Sequence, residues 1–151
     1  MRRDDDVAWL TVAVELASQC PPSDSAFSVG AILVGRDREL IAESYSRQEQ
    51  RNDHAEEIVL RRAADFHSDL TGACLYSSLE PCLARSSRPE SCAELVVRSG
   101  IRRVVIAWRE PPIFQPGGGA AWLEEQGVTL IEIPELADAA AEPNRGLLDR
   151  A

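Results

Sequence analysis

Lysine is missing from this 151-residue chain: all 16 basic residues are arginine, and 25 acidic residues leave a formal net charge of −9. Binding to a phosphate backbone needs clustered cations that displace counterions, and these arginines are scattered, so nucleic acid is not an expected partner. Apolar runs are short as well. None approaches the roughly 18 residues that a membrane helix needs. The first residues, Met1-Arg2-Arg3-Asp4-Asp5-Asp6, turn acidic at once without an apolar core segment, so no secretory leader is expected and the cytoplasm is the default compartment. Cysteine is sparse, with four residues, and in such a chain these suit metal ligation or burial as thiols better than disulfides. The length suits one domain over residues 1–151, with a peripheral tail from about residue 134.

Hydrophobic periodicity supplies the elements. Val7, Leu10, Val14 and Ala17 form one stripe and Trp9, Ala13, Leu16 and Cys20 the adjacent one, which predicts a helix over residues 7–20 stopped by Pro21-Pro22. Two strands, Ala31–Val34 and Leu40–Ala42, flank a hairpin turn at Gly35–Arg38. A helix is expected from Asp53 or His54 to about Phe66, and a strand over Ala73–Tyr76. The next helix runs from about Glu90 to Ser99 and stops at Gly100, before the continuous apolar strand Val104–Trp108. A helix through Trp122 and Leu123 ends at Gly127, and Val128–Ile131 forms the last strand. The order α-β-β-α-β-α-β-α-β predicts an α/β fold, with a five-stranded, mostly parallel mixed sheet between helical layers. The Ala-, Glu- and Asp-rich tail reads equally as a surface helix or as disorder.

Chemistry concentrates in His54-Ala55-Glu56, Pro81-Cys82 and Cys92. One imidazole and two thiolates leave the fourth position of a tetrahedral zinc ion open for water, and a carboxylate beside it can move that water's protons. His-x-Glu followed by Pro-Cys-x-x-Cys marks zinc nucleobase deaminases, although nine residues separate the cysteines here rather than two. His54 and Glu56 would lie about 200° apart on an ideal helix, so they share a pocket only where the helix begins. Asp53-His54-Ala55-Glu56 also has the form of a capping box, in which Glu56 would be a capping carboxylate without chemistry. Cys82 after a strand and Cys92 near a helix start stand where α/β folds place functional loops. Cys20 and Cys74 read as buried small residues, and His67 as solvent-facing.

Together these residues predict hydrolytic deamination, with His54, Cys82 and Cys92 holding Zn2+ and Glu56 carrying protons from water to ring nitrogen and leaving amine. From about Val7 to Leu148 the chain resembles the deaminase domain of the riboflavin-biosynthesis proteins, the diaminohydroxyphosphoribosylaminopyrimidine deaminases of the cytidine deaminase-like superfamily. The matching landmarks are Val29-Gly30-Ala31, His54-Ala55-Glu56, Ser78-Leu79-Glu80-Pro81-Cys82, Cys92, Ser99–Val105 and Asn144-Arg145-Gly146. The resemblance implies a three-layer α/β/α sandwich, a catalytic zinc and oligomerisation, for which a homodimer is expected.

The substrate-facing segments depart from that family. Its Pro-Asn-Pro is replaced by Ser25-Ala26-Phe27, and its Ser-His and Gly-Arg-Thr-Pro-Pro by Leu83–Ser91, one residue longer. Phe27 is thus a candidate to stack on a heterocycle or a core aromatic. Asn52 is a candidate ring-recognising amide or a turn residue. Arg85 and Arg88 are candidate anion contacts or solvated loop arginines. The expected substrate is a small amino-substituted heterocycle, pyrimidine or pyrimidine-like, with or without a phosphate. The rivals are a purine or cytosine-type free base, and a non-catalytic zinc-binding domain on the same fold.

Overall fold

The computed structural model describes residues 2–67 and 69–150. Five strands, β1 (Gly30–Val34), β2 (Leu40–Tyr45), β3 (Cys74–Ser77), β4 (Arg103–Ile106) and β5 (Thr129–Glu132), form one sheet in the order β2-β1-β3-β4-β5. β1 runs antiparallel to both neighbours, while β3, β4 and β5 are mutually parallel, so the sheet is mixed. Side chains alternate between its faces with the period of two that a pleated strand imposes. Ala31, Leu33, Leu75, Val104 and Ile106 enter one apolar core with α2 (Ala55–Ala64), α3 (Cys92–Ser99) and α4 (Gly119–Glu125). Ile32, Val34, Tyr76 and Val105 enter the other, beneath α1 (Arg3–Ala17) and α5 (Ala137–Ala141). The result is the expected three-layer sandwich.

Helix ends differ most from the sequence reading. α1 begins four residues earlier and ends at Ala17, short of Pro21-Pro22. Three acidic residues in its first turn favour the early start, because they oppose the positive end of the helix dipole. α2 begins at Ala55, with extended His54 as its N-cap. The box is closed by Glu57, whose Oε1 accepts from His54 N at 2.8 Å, so Glu56 is not the capping carboxylate. The tail is ordered into short helical turns and α6 (Arg145–Arg150). Buried Asn144 anchors it: its side-chain oxygen accepts from Ser28 N at 2.6 Å and its amide donates to Ser28 O at 3.1 Å.

Asp6 is a buried polar anchor between α1 and the sheet. It accepts from Tyr76 at 2.6 Å and from Arg103 at 2.8 and 2.6 Å. Burial pushes its carboxyl up, but the Arg103 and Tyr76 bonds outweigh it and hold the group below the usual range. A depressed pKa means stability that is present above about pH 4 and lost as pH falls through the folded value. Asp6→Ala removes the buried acceptor that Arg103 and Tyr76 share, and is expected to cost about 3 kcal/mol in urea unfolding at pH 7. That deficit narrows as both proteins are taken below pH 4.

Candidate metal centre and cavity

The parallel strands deliver two loops to one end of the sheet, where α/β folds place their ligand crevices. Cys82 lies in the loop after β3, Cys92 is the first residue of α3, and His54 stands immediately before α2. His54 has left the helical conformation, with φ −86° and ψ 152°, which lets it share the pocket with Glu56. Its Nδ1 lies 3.6 Å from Cys82 Sγ and 3.3 Å from Cys92 Sγ. The three donor atoms all fall within 4.8 Å of one another, in position to hold a metal ion.

The donor set fits zinc. Zn–S of about 2.3 Å and Zn–N of about 2.0–2.1 Å at a tetrahedral angle imply N···S separations of about 3.6 Å. The ends of α3 and α2 add to the fit. Cys92 N donates to Cys82 Sγ at 3.3 Å, so the first turn of α3 supports negative charge on that sulfur. The thiols form a coupled pair: the hydrogen bond from Cys92 holds Cys82 well below the usual thiol range, while the same contact and burial push Cys92 well up. Burial opposes charge on the His54 ring, yet the Cys82 contact leaves its pKa raised.

Glu56 is 3 % exposed and lines the same cavity as His54 and Cys82 without being one of the three donors. Burial lifts its carboxyl to about 7, against the opposing effect of His54. His54, Glu56 and Cys82 line a cavity of about 680 Å³, whose wall also includes Phe27, Arg47, Asn52, Arg85, Glu110 and Phe114. Among the substrate-side candidates, Phe27 is both wall and core: it is 8 % exposed and meets Trp108 and Phe114 edge-on, at 6.3 and 5.2 Å between ring centres. Asn52 lines the cavity and gives its backbone carbonyl to Arg85 at 2.7 Å. The two loop arginines are engaged by protein carboxylates, Arg85 with Glu57 and Arg88 with Asp53, each at 3.0 Å. His67 is exposed, and Cys20 and Cys74 lie outside the donor cluster.

Four residues of the site escaped the sequence reading. Arg47, at φ 63°, donates to Phe27 O, Pro21 O and Ser28 Oγ and so pins the cavity wall over residues 21–28. Glu110 enters the cavity after β4, and Phe114 follows on the same loop. Burial and the charges of Cys82, Glu80 and Glu56 raise the Glu110 carboxyl to about 7. Its signal was an acid two residues beyond the apolar run of a parallel strand. Glu80, beside Pro81-Cys82, accepts from Glu110 N at 3.0 Å and Ala120 N at 2.8 Å, tying the cavity loop to the metal loop.

Gly119 makes that junction possible, since a Cβ there would lie 1.9 Å from Pro81 O. Gly119→Ala must push Pro81-Cys82 away, and a displacement of that kind is expected to weaken zinc binding by about 10-fold, read by chelator competition.

A family model for the cytidine and deoxycytidylate deaminase zinc-binding region matches residues 3–108. The diaminohydroxyphosphoribosylamino-pyrimidine deaminase of Schizosaccharomyces pombe is 36% identical over 126 residues, covering 82% of this chain and 31% of that protein. The riboflavin biosynthesis protein RibD of Bacillus amyloliquefaciens is 33% identical over 144 residues, covering 93% of this chain and 36% of its own length. The solved structure of Acinetobacter baumannii RibD superposes with a TM-score of 0.81 at 30% identity, over 97% of this chain and 40% of that one. The chain spans about a third of the length of the curated relatives it matches. The sheet and helices therefore have the cytidine deaminase-like α/β arrangement.

Proposed function

As the chain belongs to the cytidine and deoxycytidylate deaminase zinc-binding family, we propose that it is a zinc-dependent hydrolytic deaminase of a small pyrimidine or pyrimidine-like heterocycle. The observation that carries this reading is the buried Glu56, which lines one cavity with His54 and Cys82, two of the three donors that Cys92 completes. A zinc ion held by those three residues would lower the pKa of a water at its open position to about 7. Glu56 would take a proton from the attacking water and pass it to the ring nitrogen, then deliver a proton to the departing amine. Oxygen replaces nitrogen on the ring carbon, and ammonia leaves. Phe27 and Asn52 are the proposed ring contacts, and Glu110, which lines the same cavity, is proposed to accept ring N–H groups. With Arg85 and Arg88 held by protein carboxylates, the anion contact in this reading falls to Arg51, which lines the same cavity.

Substrate identity is tested by an ammonia-release screen over aminopyrimidines, purines and their ribotides. A cavity of about 680 Å³ has room for a ring with a sugar phosphate, and the curated relatives' names include a phosphoribosylamino-pyrimidine. Activity is expected on aminopyrimidines, strongest on the phosphorylated members. Turnover of purines or cytosine-type free bases alone would replace the substrate class, and no turnover of any member by the zinc-loaded protein would leave a non-catalytic zinc domain. No helix among the described residues is long and apolar enough to cross a membrane. The reading includes a cytoplasmic homodimer. All four cysteines are free thiols, which suits a reducing compartment, and Phe66, 84% exposed, offers apolar surface to a second copy. Light scattering behind size exclusion measures the assembly.

A further inference from the structure

Arg85 lies on the loop between the two cysteines, between exposed Ala84 and Ser86, yet its own side chain is only 3% exposed. Its guanidinium is turned inwards and, besides a long contact to Ser87 Oγ at 3.4 Å on its own loop, meets three acceptors. Nη1 points at Cys92 Sγ at 3.9 Å, while Nη2 donates to Glu57 Oε1 at 3.0 Å and to Asn52 O at 2.7 Å. Glu57 Oε1 also accepts from His54 N at 2.8 Å. The contacts therefore form one path, from the Cys92 sulfur through Arg85 and Glu57 to the backbone of His54.

We propose that Arg85 is a positioning residue of the metal centre: it donates an N–H to the Cys92 thiolate and, through Glu57, fixes the entry of His54. The inference rests on the reading of His54, Cys82 and Cys92 as a zinc site. Its physical basis is charge. Two thiolates cancel the charge of a divalent cation, and a cationic donor aimed at one sulfur draws part of that electron density away from the metal. The planar fork suits this task, because one guanidinium reaches three acceptors in fixed geometry and one ammonium cannot. Arg88 supplies the contrast. It pairs with Asp53 at 3.0 Å and with Glu57 Oε2 at 3.6 Å, is 34% exposed, and its polar partners are oxygens.

Cobalt(II) loaded in place of zinc gives a sulfur-to-metal charge-transfer band that reports electron density on the thiolates. Arg85→Met is expected to move that band to longer wavelength and to weaken zinc binding by about 10- to 100-fold in chelator competition. Arg88→Met, which removes the Asp53 pair and the longer Glu57 Oε2 contact without touching a sulfur, is expected to leave the band in place. Arg85→Lys is expected to shift the band in the same direction by less. A wild-type band and wild-type zinc affinity in Arg85→Met overturn the proposal; should that variant not fold, the same result in Arg85→Lys overturns it. A band shift of equal size in Arg88→Met also overturns it, because the effect would then belong to the ion-pair network rather than to the sulfur contact. Wild-type protein that takes up neither zinc nor cobalt at these cysteines refutes the underlying site reading instead.

Discussion

Glu56→Gln is expected to remove turnover, by a factor on the order of 10²- to 10⁴-fold, while zinc content stays at about one ion per chain. Glutamine fills the same volume and cannot exchange a proton, so the variant isolates the proton transfer. Stability tells the same story from another side. A capping role would make the substitution costly, but the capping carboxylate of α2 is Glu57, and Glu56 is a buried carboxyl pushed up to about 7. Burying an ionised group is unfavourable, so replacing it with a neutral amide is not expected to lower the melting temperature. Turnover is measured as ammonia release on a substrate found by the screen, zinc by elemental analysis, and melting by circular dichroism. Unchanged turnover in Glu56→Gln would remove the proton-shuttle role.

The capping question shows where sequence reading reaches its resolution. Asp53-His54-Ala55-Glu56 and His54-Ala55-Glu56-Glu57 both contain an acid three residues after a helix start, and only one can be the box. The geometry chooses the second, because His54 is extended and Ala55 is the first helical residue. A shift of one residue thus separates a structural acid from one aimed into the cavity. His54, Cys82 and Cys92 were legible because each lies next to a local signal: a helix start, a strand end followed by proline, and a helix start again. The sheet was legible for the same reason, since its alternating apolar residues carry the period of two into both cores.

Contacts that join distant loops left no such trace. Arg85 and Glu57 are 28 residues apart, and Arg88 and Asp53 are 35 apart, so nothing in local spacing pairs them. Each looks like a solvated charge in a polar stretch until the loops are brought together. The cavity wall formed by Glu110 and Phe114 lies on a loop with Pro111 and Pro112, which has no periodicity to read. The order of the tail likewise depends on one amide, Asn144, meeting Ser28 across 116 residues.

Cys82→Ala is expected to reduce zinc from about one ion per chain to traces and to lower the melting temperature to that of wild-type protein stripped by chelator. Two donors remain, and a tetrahedral centre with three protein ligands does not survive the loss of one thiolate. The size of the stability change follows from mass action: ligand at about 1,000 times its dissociation constant contributes about 4 kcal/mol to the folded state. A second effect has to be separated from this one, because Cys82 Sγ also accepts from Cys92 N at 3.3 Å at the start of α3. Cys82→Ser keeps an acceptor there and still lacks the soft sulfur that zinc prefers. If zinc accounts for the stabilisation, the alanine and serine variants melt together with the stripped wild type, and added zinc raises only the wild type. If the helix contact accounts for it, the serine variant melts above the alanine variant with no metal bound to either, and the metal centre contributes correspondingly less to holding α2, α3 and the loop after β3 in register.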